Sequence, residues 1–230
     1  MIHKRNSLLS ASLMCMDLLN VQSQISVLNR YMDALHVDIM DGHFCDSIHL
    51  SPSFIGAIRQ ITQLPIETHL MVDAPEKFIN SIIDNGGNCI ICHAETVSKN
   101  AFRLIDAIHS KGKKGGIALC PLTPIDAITP LLGEIDILSI LMIDVGYIGQ
   151  PMIGSLLGKI KLAKDLKEQQ GYDYIIQVDG GVRADTYQVM KAAGAESFVL
   201  GKAALFGKHV DINDACEIMS DEFGMTEEVV

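Results

Sequence analysis

The sequence predicts an α/β chain folded as a single (β/α)8 TIM barrel. Short β-rich runs alternate with longer stretches of helical period from one end to the other, eight of each. Their mean spacing of about 29 residues suits a barrel of roughly 250 residues. No Pro/Gly/Ser-rich linker or shift in composition interrupts the chain, so residues 1–230 read as one domain. The competing architecture is a doubly wound open sheet, and its G-x-G-x-x-G signature does not follow the first strand.

In chain order, the first strand is read over 7–13 and the helix after it over 18–30. A strand at 34–39 is followed by a helix at 52–61, where Ser51 precedes Pro52, the arrangement that favours a helix start. A strand at 66–71 leads to a helix at 75–85, opened by Ala74-Pro75 and stopped by Gly86. Strands at 88–93, 115–119 and 136–143 alternate with helices at 101–111, 124–132 and 153–169. The strand at 174–178 feeds a helix at 185–193 that Gly194 ends, and the strand at 197–200 precedes a helix at 212–222.

Composition narrows the function. With 48% hydrophobic and 20% charged residues, the chain buries a core of its own and disorder is excluded. A net charge of −10 and the absence of a Lys/Arg-rich run argue against a nucleic-acid partner. No apolar stretch approaches the roughly 18 residues of a membrane span. Residues 1–5 followed by 7–16 imitate a basic and then apolar leader, but no small-x-small cleavage site follows and an amphipathic pattern takes over. The six cysteines are scattered through apolar runs, as expected of reduced core residues in a cytoplasmic protein. Cys89, Cys92 and His93 match the C-x-x-C-H pattern of haem attachment, yet they fall in a strand whose period of two sends the cysteines to opposite faces.

Barrel enzymes carry their chemistry at the C-terminal ends of the strands. There the period of two puts His36, Asp38 and Met40 on one face of the second strand, and His69 and Met71 on one face of the third. Asp179 stands at the tip of the seventh. Two imidazoles and two carboxylates form an N2O2 donor set suited to Zn²⁺, Fe²⁺, Mn²⁺ or Co²⁺. Any one of the four alone reads more readily as a satisfied core residue or a cap; their matching positions favour a site. Where a barrel binds a phosphate it commonly uses the loops after strands seven and eight, and Gly180, Gly181, Gly201 and Lys202 occupy those positions. The glycine-flanked loop of Gly146, Tyr147, Ile148 and Gly149 is expected to close over the ligand.

Five segments, Ser12-Leu13-Met14, His36 to Phe44, His69 to Met71, Gly146 to Gln150 and Val178 to Gly181, resemble the ribulose-phosphate 3-epimerase family over nearly the whole chain. Ser12 to Leu18, Leu50 to Pro52, His93 to Thr96 and Ala101 to Asp106 look more like the branch acting on D-allulose 6-phosphate. The resemblance implies inversion at carbon 3 of a ketose phosphate, with one divalent metal ion and no organic cofactor. In that scheme Asp38 removes the proton beside the carbonyl and Asp179 returns one to the opposite face of an enediolate whose oxygens face the metal. Ser12 lines the sugar, Met40 and Met71 pack beside the enediolate, and the assembly is a homo-oligomer. The sequence departs from the family pattern at Ala11, Cys120, Leu141, Val145 and Lys202. Those departures bear on the substrate more than on the reaction. Ribulose 5-phosphate is the alternative substrate, and a non-catalytic sugar-phosphate binder the alternative class. An aldolase or decarboxylase lacks its strand-end lysine beside His36, His69 or Asp179.

Overall fold

The computed structural model describes residues 7–224, and within them the parallel strands close into a barrel. The strands are β1 (Leu8–Ser12), β2 (Ala34–Asp41), β3 (Ile48–His49), β4 (Ile66–Met71), β5 (Cys89–His93), β6 (Lys114–Leu119), β7 (Ile137–Leu141), β8 (Ile175–Asp179) and β9 (Ser197–Leu200). Their order is β1-β9-β8-β7-β6-β5-β4-β2-β3, and a β1–β2 pairing completes the ring, leaving β3 outside it. This is the (β/α)8 barrel that the alternation of strand and helix patterns predicts.

Helices α1 (Val21–Tyr31), α2 (Pro52–Arg59), α3 (Ile79–Asp84), α4 (Ala94–Val97), α5 (Ala101–His109), α6 (Leu157–Gln170), α7 (Ala184–Ala193) and α8 (Ile212–Glu222) accompany the strands. Alternation along each strand divides the apolar core in two. Cys89, Ile91, Ala118, Ile137 and Leu141 form one cluster. Residues of opposite parity, among them Ile90, Cys92, Ile117, Leu138, Ile140 and Met142, pack with the helices in the other. The C-x-x-C-H segment therefore lies within a buried strand, with Cys89 and Cys92 in different clusters as the period requires.

Two local expectations are corrected. The stretch expected to be helical at 124–132 is a 3-10 turn, Ile125–Leu131, with Pro130 inside it. A proline there removes an N–H and crowds the preceding carbonyl, which an α-helix does not tolerate. The expected helix at 75–85 is split into a 3-10 turn, Pro75–Lys77, and α3. The chain after Gly201 starts with a π-helical turn, Lys202–Phe206, ahead of α8, which has the bounds expected of the last helix. The two-residue β3, which pairs antiparallel with Met40 and Asp41, and the single-turn α4 are too short to leave a periodic signature. The leader-like residues 1–5 lie outside the described residues. No helix among the described residues is long and apolar enough to cross a membrane.

Candidate active site

Strand register assembles the site. Asp38 on β2 lies opposite His69 on β4, and Met40 opposite Met71. Asp179 ends β8, with β9 and β1 between it and β2. His36 Nε2 lies 3.4 Å from Asp38 Oδ1 and 3.8 Å from Asp179 Oδ2. His69 Nδ1 lies 3.1 Å from the same Asp38 oxygen and 3.4 Å from the same Asp179 oxygen. One ligand atom from each of the four residues thus falls within 4.8 Å of the others.

Electrostatics favour a cation at this point. Burial alone raises a carboxyl pKa and lowers that of an imidazole. At Asp38 the burial effect is overcome by His36 and His69, so the carboxyl is held well below its usual range. For His36 the carboxylates of Asp38, Glu67 and Asp179 override burial and push its pKa well up; Asp179 and Asp38 override burial at His69 and raise its pKa. The two acids thus draw positive charge into a buried place, and a divalent ion with neutral imidazole ligands meets the same demand. His36 Nε2 is buried without a hydrogen-bond partner among the described residues. An uncapped nitrogen aimed at two carboxylates, in an N2O2 set, fits a first-row divalent metal.

Supporting groups surround the cluster. His36 Nδ1 is 3.3 Å from Glu67 Oε2, and that oxygen also accepts a 2.9 Å hydrogen bond from Gln177 Nε2. A carboxylate on one ring nitrogen leaves the proton there and the other nitrogen free to ligate. Ser12 Oγ donates to Asp38 Oδ2 at 2.8 Å. His93, at the end of β5, stacks on His69 with ring centroids 5.0 Å apart.

Above the cluster opens a cleft. Asp38, His69 and Asp179 lie at its floor with Ser12, Met40, Met71 and Leu141, while His36, fully buried, sits beneath. Gly146, Tyr147, Ile148 and Gly149 form one wall, and Gly180, Gly181, Gly201 and Lys202 line it as well. The structure therefore brings together every residue that the sequence nominates. Leu141 faces the cleft and Met142 the helix layer, as the period predicts.

Two wall features depend on glycine. Gly180 and Gly181 have φ of +87° and +66°. A Cβ on Gly181 would stand 2.9 Å from the backbone nitrogen of Met152, so the loops after β7 and β8 touch only without a side chain here. The 146–149 loop is held at its base by Gln150, whose Nε2 donates to Asp144 Oδ2 and whose Oε1 accepts from the Asp144 N–H. Tyr147 and Ile148, half exposed or more, ride on that base beside the cleft.

Sequence reasoning did not nominate Glu67, Gln177, His93, Glu95 or Arg183. Glu67 and Gln177 lie two residues before His69 and Asp179, so the same period pointed to them one layer deeper. His93 shares the inward parity of Cys89 and Ile91. Arg183, two residues after the paired glycines, lines the same cleft as Lys202.

The model of the Ribulose-phosphate 3 epimerase family matches residues 8–206. The chain is 36% identical over 172 residues to the ribulose-phosphate 3-epimerase of Bacillus subtilis, covering 74% of this chain and 79% of that protein. It is 37% identical over 177 residues to the enzyme of the same name from Methanocaldococcus jannaschii, covering 77% and 74%. Among solved structures, a 3-hexulose-6-phosphate synthase is similar in fold, with a TM-score of 0.70 at 15% identity over 93% of this chain and 98% of that one.

Proposed function

The chain belongs to the ribulose-phosphate 3-epimerase family, an isomerase family acting on ketose phosphates, and we propose that it inverts carbon 3 of D-allulose 6-phosphate to give D-fructose 6-phosphate. The observation that carries the reaction is the four-residue cluster, in which two carboxylates from separate strands converge with two imidazoles at the floor of one cleft. Inversion through a planar enediolate needs one group to take a proton from one face and another to deliver one to the opposite face. Asp38, fixed by Ser12, takes the proton beside the carbonyl, and Asp179 delivers the second. His36, Asp38, His69 and Asp179 would hold a divalent ion of zinc, iron, manganese or cobalt type, which when bound would supply positive charge where negative charge develops in the reaction. Met40 and Met71 face the same floor and exclude water from the reacting carbon with polarizable, uncharged surface.

The phosphate binds at the far wall. Gly180, Gly181 and Gly201 let backbone approach the anion, and Lys202 and Arg183 supply positive charge within a chain of net charge −10. The Gly146–Gly149 segment closes over the sugar. Preference for the six-carbon substrate is supported by the segment from Ser12 to Leu18, which resembles the allulose-phosphate branch and contributes Met14 and Cys15 to the cleft. Ribulose 5-phosphate is the second reading, since the relatives carry a ribulose phosphate in their names. Side-by-side turnover separates them. The proposal expects a higher kcat/KM for D-allulose 6-phosphate, and a preference for ribulose 5-phosphate overturns the substrate assignment while leaving the chemistry intact.

A further inference from the structure

Behind the grouped ligands lies a second row of polar side chains that the reaction scheme does not use. His69 turns Nδ1 toward Asp38 and Asp179, while its Nε2 lies 2.9 Å from His93 Nε2. Two imidazole nitrogens at that distance share one proton, so one donates and the other accepts. On its far side His93 Nδ1 meets Glu95 Oε2 at 3.2 Å, with Cys120 Sγ a weaker acceptor at 3.4 Å. The other Glu95 oxygen is already engaged: it accepts from the Cys120 N–H at 3.0 Å and from the Thr123 hydroxyl.

These contacts fix the direction of the whole chain. A carboxylate only accepts, so the His93 proton facing it lies on Nδ1. His93 Nε2 is then a bare acceptor, and the shared proton belongs to His69 Nε2. With His69 neutral, as a metal ligand must be, its Nδ1 is left unprotonated, and a cation takes the place there of the proton that Asp38 and Asp179 draw in its absence. His93 is held for this task by burial and by Phe44, whose ring centroid lies 4.5 Å from its own. The loop that anchors Glu95 is tied down by Lys159, whose Nζ donates to the carbonyls of Cys120, Pro121 and Thr123 at 2.8–3.0 Å.

We propose that Glu95, acting through His93, sets the tautomer of His69 so that its Nδ1 lone pair is presented to a divalent cation. Both are positioning residues, and the inference rests on the reading of the four-residue cluster as a metal site. The device differs from the one at His36, where Glu67 engages Nδ1 directly and leaves Nε2 for the ion. The two imidazoles therefore ligate through different nitrogens, each chosen by its own carboxylate.

Glu95→Gln tests this sharply because it keeps the shape and reverses one contact. The amide oxygen stays with the Cys120 N–H and the Thr123 hydroxyl, and the NH2 then faces His93 Nδ1. The chain reverses, and His69 is driven to carry its proton on Nδ1, where the ion binds. Chelator-stripped full-length protein titrated with Co²⁺, followed by its visible absorption, is expected to bind one ion per chain. Glu95→Gln is expected to weaken this about 10- to 100-fold, with no change in the unfolding temperature of the metal-free protein. Independently of any variant, the long-range proton–nitrogen spectrum of zinc-loaded wild-type protein is expected to place the His69 proton on Nε2. Wild-type affinity in Glu95→Gln, or a His69 proton on Nδ1 in the zinc-loaded protein, overturns the proposal alone. Failure of the wild type to bind Co²⁺ overturns the metal reading beneath it. Two ions per chain, the second lost in Glu95→Gln, shows that His93, Glu95 and Cys120 hold a cation of their own and also overturns it.

Discussion

Ser12 Oγ donates a 2.8 Å hydrogen bond to Oδ2 of Asp38, while Oδ1 of the same carboxylate faces the two imidazoles. The two oxygens thus have separate duties, and the serine fixes which is which. Sequence reasoning gave Ser12 a place beside the sugar; the structure adds that it orients the residue proposed as base. Ser12→Ala is expected to lower kcat about 10- to 100-fold, the equivalent of one hydrogen bond to a charged group, with an unchanged fold. Steady-state kinetics with circular dichroism as a control checks this, and a wild-type kcat contradicts it.

Gln177 acts at one remove from the cluster. Its amide holds the Glu67 oxygen that faces His36 Nδ1. Gln177→Leu keeps the bulk of a buried side chain and frees that carboxylate to turn away. Metal affinity is expected to fall about tenfold, at the low end of what such outer contacts contribute. Isothermal titration with Mn²⁺ or Zn²⁺ measures it, and unaltered affinity places the orientation of His36 elsewhere.

Gly181 joins two active-site loops through its lack of a side chain. Gly181→Ala places a Cβ against Met152 at a φ of +66°. The left-handed conformation alone costs an L-residue about 1–2 kcal/mol, and the contact adds to it. Loss of several degrees in unfolding temperature is expected, at roughly 2–4 °C per kcal/mol for a chain of this size, together with a raised KM. Scanning calorimetry and kinetics check the pair of effects.

Lys202 tests the phosphate end. Replacement by Ala removes one of two cations on that wall and is expected to raise KM about tenfold, as for a charge-assisted contact. Inorganic phosphate should lose potency as a competitive inhibitor by a similar factor. An unchanged KM and an unchanged inhibition constant contradict the assignment.

The barrel and its His/Asp cluster were legible because both depend on local periods. Alternation along β2 and β4 alone puts His36 and Asp38, then His69 and Met71, on shared faces, and closure of the ring brings them together. The supporting groups were less legible because their meaning depends on partners far away in the chain. Gln177 and Glu67 are 110 residues apart, and neither advertises the other in sequence. His93 falls within a haem-like pattern, although its inward parity carries the better signal. The 3-10 turn at Ile125–Leu131 escaped a period-based reading because its apolar spacing imitates an α-helix while Pro130 forbids one.

The central claim is a two-base inversion at carbon 3, and solvent isotope incorporation tests it most directly. With D-allulose 6-phosphate in heavy water, wild-type protein is expected to form D-fructose 6-phosphate carrying one deuterium, at carbon 3, in each first-formed product molecule. Asp38→Asn and Asp179→Asn, each folded, should form no product, and a chelator should stop the wild type. Product formed without deuterium at carbon 3, or by the Asp179→Asn protein at the wild-type rate, contradicts the account.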